Sequence, residues 1–414
     1  VYNHAHIGNA RPIVVFDTLK KTLEAKGYRV HYVSNFTDID DKIIQKALDE
    51  AVDEHAIANR YIQAYKEVRK ALHAHEPDAT PQVTQNINAI IEFIQLLVDQ
   101  GYAYQVGDNV YFRVNSVSNY GSLSHQNLEM LQSGSRIDEN TDKESPLDFV
   151  LWKKTDDQGI KWESPWGKGR PGWHTECVVM IQKEFKTTQI DIHGGGQDLK
   201  FPHHENESAQ NSAVHHHPLA NYWIHNGMIN IDGEKMSKSL GNVWWAKEAI
   251  NQLGSNVSRW ILIQNHYRQT INLTDDTITT AQVEIEKFQN GLKQAHLKLQ
   301  LSGQKTQTLD DDLYHLFLEA MEDDLNTPNA IVILFDGLKK LNQLVRNREI
   351  DLDQLASVYN FLIKGLYILG IDFNLSPMDQ DDLNLYQQWT EAKKEKNFEI
   401  ADKLRNELIE KGIL

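Results

Sequence analysis

Hydrophobic and polar positions in the first fifty residues alternate between a helical and a strand pattern. Apolar residues recur at helical spacing over residues 13–26 and predict an amphipathic helix that ends at Gly27. The strand formers in residues 30–36 predict a short strand, and a second helix is expected from near Asp40. This alternation is typical of an α/β domain with a doubly wound, Rossmann-like parallel sheet.

The pattern changes between about residues 79 and 159. A helix is predicted over residues 87–100 and a short strand over residues 109–114, and a polar stretch occupies residues 133–145. The α/β alternation then resumes over residues 172–243. We therefore interpret residues 79–159 as an α+β insertion into the α/β domain.

After residue 243 the pattern is almost entirely helical. Residues 309–344 predict a helix pair, and its turn at Asn326-Thr327-Pro328 combines a capping side chain with a proline in the first helical turn. Two last helices are predicted over residues 386–394 and 398–411. The expected organisation is an α/β domain over 1–243, a connecting region over 244–308 and an all-α C-terminal domain over 309–414.

Composition narrows the class of protein without identifying a partner. Hydrophobic residues make up 40% of the 414 residues and charged residues 24%, and no apolar run is long enough to predict a transmembrane helix. The single cysteine, Cys177, excludes an internal disulfide framework and suits a reducing cytoplasm. The net charge of −16 argues against general nucleic-acid binding but leaves recognition of a shaped RNA open.

The first candidate motif, His4-Ala5-His6-Ile7-Gly8-Asn9-Ala10, lies just before the first predicted helix. Gly8 would let a phosphate approach the backbone closely, and the N-terminus of the helix supplies N–H groups and a positive dipole end. His6 and Asn9 can both donate hydrogen bonds to phosphate oxygens. A polar turn with two chance histidines is the alternative.

The second candidate motif is a loop over residues 233–242 that contains glycine and serine. Lys235 and Lys238 are three positions apart and can hold separate phosphates as mobile point charges, and Ser237 lies between them. A solvated loop without a ligand is the alternative.

The third group of motifs carries side chains that can bind a metal. Cys177 ends the segment Gly172-Trp173-His174-Thr175-Glu176-Cys177, and His203 and Glu207 lie in a later segment rich in histidine. His203 and Glu207 are four residues apart, so on a helix they share one face. All three are zinc-competent, although a lone cysteine is often a small buried hydrophobe and a histidine-rich segment is often polar surface.

The first two motifs together resemble the HIGH and KMSKS signatures of class I aminoacyl-tRNA synthetases. Residues 235–239 match KMSKS letter for letter, whereas Asn9 replaces the last histidine of HIGH and keeps a hydrogen-bond donor. Five further segments are similar to the cysteinyl-tRNA synthetase family in particular: residues 35–42, 172–177, 193–196, 201–207 and 323–328. The resemblance therefore extends over nearly the whole chain.

The resemblance implies that the chain activates L-cysteine with ATP and transfers it to cysteine tRNA. ATP, together with Mg²⁺, would bind at the two signature motifs. The expected catalytic or ATP-binding residues are His6, Gly8, Asn9, Lys235, Ser237 and Lys238. The residues expected around the bound amino acid are Thr37, Trp173 and His193.

The resemblance also implies one Zn²⁺ per chain, bound by Cys177, His203 and Glu207 together with a second cysteine. In the family that cysteine lies a few residues upstream of the HIGH-like motif, a position that is expected to fall before Val1. The C-terminal end is likewise expected to be incomplete. The residues 309–414 would bind the anticodon, residues 244–308 would contact the tRNA stem, and the enzyme is expected to be a cytoplasmic monomer.

Two other functions remain open at this point. One is a ligase of the same fold that passes cysteine to a small amino-sugar acceptor, which would have no need of the helices after residue 309. The other is a non-catalytic RNA- or metal-binding relative, against which the intact Lys235, Lys238 and His6 argue.

Overall fold

The computed structural model describes residues 2–126, 142–236, 241–304 and 307–413. The chain divides into two compact units. The first comprises Val1–Ile13, Arg29–Ala249 and Arg268–Ile271, and the second comprises Val14–Tyr28, Ile250–Tyr267 and Asn272–Leu414. Among the described residues, no helix combines the length and apolar character needed to cross a membrane.

Helix α1 covers Ile7–Ala25 and so begins within the first candidate motif, not at residue 13 as predicted. Proline usually marks the first turn of a helix, but Pro12 lies well inside this one. The carbonyl that Pro12 leaves without its usual donor belongs to Gly8, near the exposed start of the helix. The motif therefore forms the N-terminal turn of α1.

The first unit contains two parallel strands of an α/β sheet, β5 (Ile190–Gly196) and β6 (Ala220–Asn226). The strand predicted over residues 30–36 is wrong as a continuous strand. Val33 and Phe36 form only isolated parallel bridges, to Ala79 and Gln82. Pro81 lies between those partners and has no N–H, so a regular ladder cannot run through this segment.

The segment interpreted as an insertion forms a four-stranded antiparallel sheet in the order β1-β2-β3-β4. Its strands are β1 (Ala103–Val106), β2 (Asn109–Phe112), β3 (Phe149–Lys154) and β4 (Gly169–Pro171). This confirms the short strand predicted after residue 109 and extends the sheet beyond residue 159. Most of the polar stretch over 133–145 lies outside the described residues.

The first unit also contains several helices, which alternate along the chain with the segments that form its sheets. They are α2 (Asp41–Glu50), α3 (Glu54–Ala71), α4 (Ile87–Asp99), α5 (Thr175–Phe185) and α6 (Glu205–His215), with α7 (Ala246–Leu253) at the unit boundary. The helices predicted from Asp40 and over residues 87–100 are confirmed. Asp40 caps α2, because its side chain accepts a hydrogen bond from the backbone N–H of Ile43. A β-hairpin, β7 (Ile229–Ile231) with β8 (Glu234–Lys235), follows β6.

The second unit is helical apart from residues of the short strand β9 (Ile271–Leu273). Its helices are α8 (Ser255–Ile263), α9 (Asp275–Ser302), α10 (Asp311–Glu322), α11 (Thr327–Arg346), α12 (Leu352–Leu369), α13 (Gln380–Lys394) and α14 (Phe398–Glu410). The predicted helix pair is confirmed as α10 and α11. Asn326 caps α11 by accepting from the backbone N–H of Asn329 at 3.2 Å, as its position before Pro328 indicates.

A buried ionic group lies inside the second unit. The Arg259 guanidinium is completely buried, pairs with the Asp17 carboxylate and donates to the backbone oxygen of Leu369 at 2.5 Å. Lys21 contacts the same carboxylate at 2.8 Å. These partners compensate the desolvation of the charges, and they connect segments that are far apart in sequence.

Candidate active site

The N-terminal turn of α1 presents two polar side chains that support each other. The backbone N–H of His6 donates to Asn9 Oδ1 at 3.2 Å, and the backbone N–H of Asn9 donates to His6 Nδ1 at 3.3 Å. Because Nδ1 of neutral His6 accepts, the ring proton is assigned to Nε2. His6 Nε2–H and the Asn9 side-chain amide are donors of the kind that a phosphate site uses.

Gly8 brings the two signature motifs into contact. A Cβ atom at Gly8 would lie 2.9 Å from the His6 ring and 3.1 Å from the terminal methyl group of Met236. The lack of a side chain at this position therefore allows Met236 to rest against the turn of α1. Lys235, the residue before Met236, is exposed at the end of β8. Ser237 and Lys238 lie outside the described residues.

The metal-competent residues converge from two separate segments of the first unit. Cys177 lies on α5, His203 on the irregular turn Lys200–His204, and Glu207 on the first turns of α6. Cys177 Sγ is 3.6 Å from His203 Nε2, and that nitrogen is 2.8 Å from Glu207 Oε1. All three side chains are buried, and their ligand atoms lie within 4.8 Å of one another.

Glu207 is the electrostatic centre of this cluster. Burial by itself would raise the pKa of its carboxyl group, but His203 and His193 outweigh burial and hold the pKa well below the usual value. Although close to His203, Glu207 Oε1 has no partner with hydrogen-bond geometry. A buried carboxylate oxygen in this state is available to a cation.

The thiol of Cys177 has the opposite tendency. Burial, followed by the negative charge of Glu207, raises the pKa of Cys177 well above its usual value. The Asn35 side-chain amide lies near the sulfur, with Nδ2 at 3.8 Å from Sγ. In this position a cation would have to displace the thiol proton, which is the normal exchange when a cysteine becomes a metal ligand.

A second group of histidines shares Glu207 with the first. His193 Nε2 lies 2.7 Å from Glu207 Oε2, and the ligand atoms of His193, His204 and Glu207 also lie within 4.8 Å of one another. His204 Nδ1 contacts His225 Nε2 at 2.8 Å. Among the residues that the structure describes, two overlapping groups could hold a metal ion, and the first of them contains sulfur.

The residues expected around the amino acid lie beside this cluster. Trp173 is 51% exposed, and its ring stacks on that of His203 with 4.5 Å between centroids. The Thr37 hydroxyl donates to Glu176 Oε1 at 3.0 Å, and Glu176 precedes Cys177 on α5. His193 joins the cluster directly through Glu207. Thr37, Trp173 and His193 are therefore all close to the metal-competent side chains.

Four further residues of the site were not identified from the sequence: His174, Glu176, His204 and His225. His174 Nδ1 lies 2.9 Å from His203 Nδ1, and burial lowers the pKa of His174 to about 3. Burial likewise lowers the pKa of His225 to about 4. His174 and His204 lie within the motifs at residues 172–177 and 201–207, so the sequence did point to their neighbourhood. Spacing alone could not distinguish metal ligands from neighbouring side chains.

Family models match most of the chain. Residues 1–283 match the model described as tRNA synthetases class I (C) catalytic domain, and residues 316–374 match the DALR domain. Two similar proteins are the cysteine–tRNA ligases of Halalkalibacterium halodurans and Onion yellows phytoplasma. They are 45% and 43% identical over alignments that cover all of this chain and 90% and 93% of those relatives.

Solved structures agree with this relationship at the level of the fold. Mycobacterium tuberculosis methionyl-tRNA synthetase in complex with methionyl-adenylate has a TM-score of 0.64 at 17% identity, covering 89% of this chain and 87% of that one. Thermus thermophilus arginyl-tRNA synthetase has a TM-score of 0.57 at 13% identity, covering 89% and 80%. At these identities the likeness shows a class I synthetase fold alone, with its Rossmann-like catalytic domain.

Proposed function

Because the chain belongs to the cysteine–tRNA ligase family of class I aminoacyl-tRNA synthetases, we propose that Cys177, His203 and Glu207 form the site that selects the thiol of its substrate. The chain is an enzyme that joins cysteine to its tRNA at the expense of ATP. The observation that carries the proposed site is the convergence of one sulfur, one imidazole and one carboxylate within 4.8 Å in a buried position.

The reaction has two steps. An oxygen of the cysteine carboxylate attacks the α-phosphorus of ATP, and the bond to the bridging oxygen breaks, so that pyrophosphate leaves with the electron pair. The 2′-hydroxyl of the terminal adenosine of the tRNA then attacks the carbonyl carbon of cysteinyl-adenylate and loses its proton. The bond between that carbon and the phosphate oxygen breaks, and AMP leaves with its electron pair. The first step requires no proton transfer by a side chain, so positioning and charge stabilisation determine its rate.

The ATP site is assigned to the turn of α1 and the lysine-bearing segment. His6 and Asn9 would donate to phosphate oxygens, and Gly8 would allow their close approach. Lys235, together with Ser237 and Lys238 from the adjoining residues, would stabilise charge as it develops on pyrophosphate. Mg²⁺ would accompany ATP, as in other phosphoryl transfers. The contact between Gly8 and Met236 supports this pairing of the two motifs.

Zinc is the metal whose preferences best fit the first group of donors. Cys177, His203 and Glu207 offer the S, N and O ligands that zinc takes in proteins. Glu207 Oε1, which has no partner with hydrogen-bond geometry although it lies 2.8 Å from His203 Nε2, could accept such a cation. When bound, zinc would supply a soft Lewis acid that favours a substrate thiolate over a serine hydroxyl. Thr37, Trp173 and His193 would hold the remainder of the amino acid beside these ligands.

The helical part of the chain is proposed to bind tRNA. Residues 309–414 would recognise the anticodon region, and residues 244–308 would join this domain to the catalytic domain over 1–243. The enzyme is proposed to act in the cytoplasm as a monomer, and light scattering with and without tRNA would test the monomeric state.

Cysteine-dependent ATP–pyrophosphate exchange distinguishes the ligase from a non-catalytic binder. Charging of cysteine tRNA distinguishes it from a ligase with an amino-sugar acceptor.

Removal of residues 379–414 is expected to separate the two steps. This deletion takes away α13 and α14, whose main packing is on each other. Cysteine-dependent exchange should stay within about threefold of wild type, whereas kcat/KM for tRNA charging should fall about 100-fold, which corresponds to about 2.8 kcal/mol of lost tRNA interaction. Both rates would be measured on the same preparation.

The position of the cut follows from contacts inside the second unit. A cut at residue 309 would remove Leu369, the acceptor for buried Arg259, and Thr327, whose hydroxyl donates to the Ile263 carbonyl at 2.6 Å. Loss of activity after that cut would report unfolding. Thermal melting of the shorter deletion is the control for folding. Normal tRNA charging by the folded, shortened chain would contradict the assignment of α13 and α14 to tRNA binding.

A further inference from the structure

We propose that Arg11 is a positioning residue, which fixes the hairpin carrying Lys235 against the turn of α1 that carries His6. Arg11 was not among the residues expected to take part in the reaction. It faces away from solvent, in the turn of α1 that follows the first signature motif. The inference rests on the proposed role of Lys235 in adenylate formation and concerns how that lysine is held in place.

Arg11 donates hydrogen bonds to backbone oxygens of segments that are distant in sequence. Its Nη1 atom donates to Gly227 at 2.7 Å, to Met228 at 3.2 Å and to Gln269 at 2.6 Å. The side chain is completely buried. Burial lowers the pKa of Arg11 to about 10, so that the guanidinium remains charged at neutral pH. Three carbonyl dipoles therefore replace the water that a buried cation has lost.

Two of the carbonyls that Arg11 binds, those of Gly227 and Met228, lie directly before the lysine-bearing hairpin. Met228 is followed by β7, and β7 pairs with β8 so that Asn230 lies opposite Lys235. The backbone at Gly227 passes very close to the backbone at Gln269. A Cβ atom on Gly227 would lie only 2.3 Å from the Gln269 oxygen. Arg11 thus fixes a tight junction only a few residues from the catalytic lysine.

The segment that follows the hairpin is attached to the same part of the chain. The Ile7 N–H donates to the Trp244 oxygen at 2.9 Å, and the Ala246 N–H donates to the Ala5 oxygen at 2.9 Å. Residues on both sides of the KMSKS-like segment are therefore bonded to residues 5–11. On one side the bonds join backbone to backbone, and on the other the Arg11 side chain donates to the backbone of Gly227 and Met228.

We expect Arg11 to affect the rate of adenylate formation more than the binding of ATP. A cation that stabilises departing pyrophosphate must be placed before the charge develops, and a displacement of about 1 Å can cost about 100-fold in rate. Ground-state ATP would still be held by His6, Asn9 and Mg²⁺. Loss of the junction should therefore lower kcat for exchange while KM for ATP changes little.

A double-mutant cycle with Lys235 tests this role. In the full chain, Arg11→Lys is expected to lower kcat for cysteine-dependent exchange by about 10- to 100-fold, with KM for ATP within about threefold. In a Lys235→Ala background the same change should cost less than about threefold, because the group that Arg11 positions is already absent. Gly227→Ala, which strains the backbone that carries the acceptor carbonyls, should likewise cost less in the Lys235→Ala background than in wild type.

Arg259→Lys is the matched control, since Arg259 is equally buried and also donates to a backbone carbonyl, but in the second unit. It should lower the melting temperature, leave kcat of the folded protein within about threefold, and combine additively with Lys235→Ala. Additive behaviour of both Arg11→Lys and Gly227→Ala with Lys235→Ala would overturn the positioning role. Wild-type protein without cysteine-dependent exchange would instead overturn the proposed function on which it rests.

Discussion

Replacement of Cys177 by alanine is expected to remove the bound zinc and most of the preference for cysteine over serine. Cysteine and serine differ by one atom, and a pocket that selects by shape separates such pairs by only about 10- to 200-fold. A soft metal adds a difference in ligand chemistry, because a thiol ionises and binds it far more readily than a hydroxyl does. The cysteine-to-serine ratio of kcat/KM should therefore fall by about 100-fold or more.

The measurement combines metal analysis with exchange kinetics on full-length protein, using cysteine and serine as alternative substrates. Wild type should hold one zinc per chain and Cys177→Ala much less than one. Val178→Ala is the matched control, since Val178 is the next residue on α5 and is fully buried. It should lose stability but keep both zinc and selectivity. A zinc-free Cys177→Ala enzyme that still preferred cysteine by several orders of magnitude would show that selectivity has another source.

Loss of Lys238 is expected to slow adenylate formation about 100- to 1,000-fold, the usual cost of removing one group that stabilises a developing charge. Cysteine binding should change little, because this interaction strengthens mainly in the transition state. Lys238 lies outside the described residues, so the expectation rests on the match to KMSKS. The rate of exchange for Lys238→Ala, at saturating ATP and cysteine, provides the measurement.

Two further variants distinguish a local role from a general effect of charge. Lys247→Ala removes a lysine from α7 that pairs with Glu67 at 3.3 Å, and it should leave exchange within about threefold. Lys238→Arg retains the charge but not the compact ammonium group, so a partial loss is expected. Wild-type exchange rates in Lys238→Ala would remove the lysine from the proposed mechanism.

Local rules identified several parts of the structure because they act over only a few residues. The capping side chain at Asn326 and the following proline predict the start of α11, and the cap is present. The spacing of His203 and Glu207 predicts a shared helical face, and their ligand atoms do meet at 2.8 Å. In contrast, apolar spacing predicts a first helix from residue 13, whereas α1 begins at Ile7 and contains Pro12.

Other features depend on how distant segments come together. Spacing could not show that Cys177 would reach His203, and that expectation came from the family resemblance. The neighbours that complete the site, such as His174 and His225, are indistinguishable in sequence from the surface histidines of this histidine-rich chain. The low pKa of Glu207 is likewise a property of the assembled cluster, since it depends on His203 and His193 as neighbours.

The family, the two signature motifs, several helices and three metal-competent residues follow from the amino-acid sequence alone. The folded structure is needed to show that Glu207 belongs to two overlapping metal-competent groups, that Met236 rests against Gly8, and that Arg11 holds a junction more than two hundred positions away. The physical reason is that periodicity and capping are encoded among near neighbours. A contact between residues distant in sequence forms only when the chain folds. No local sequence pattern therefore predicts which carbonyls a buried guanidinium will bind.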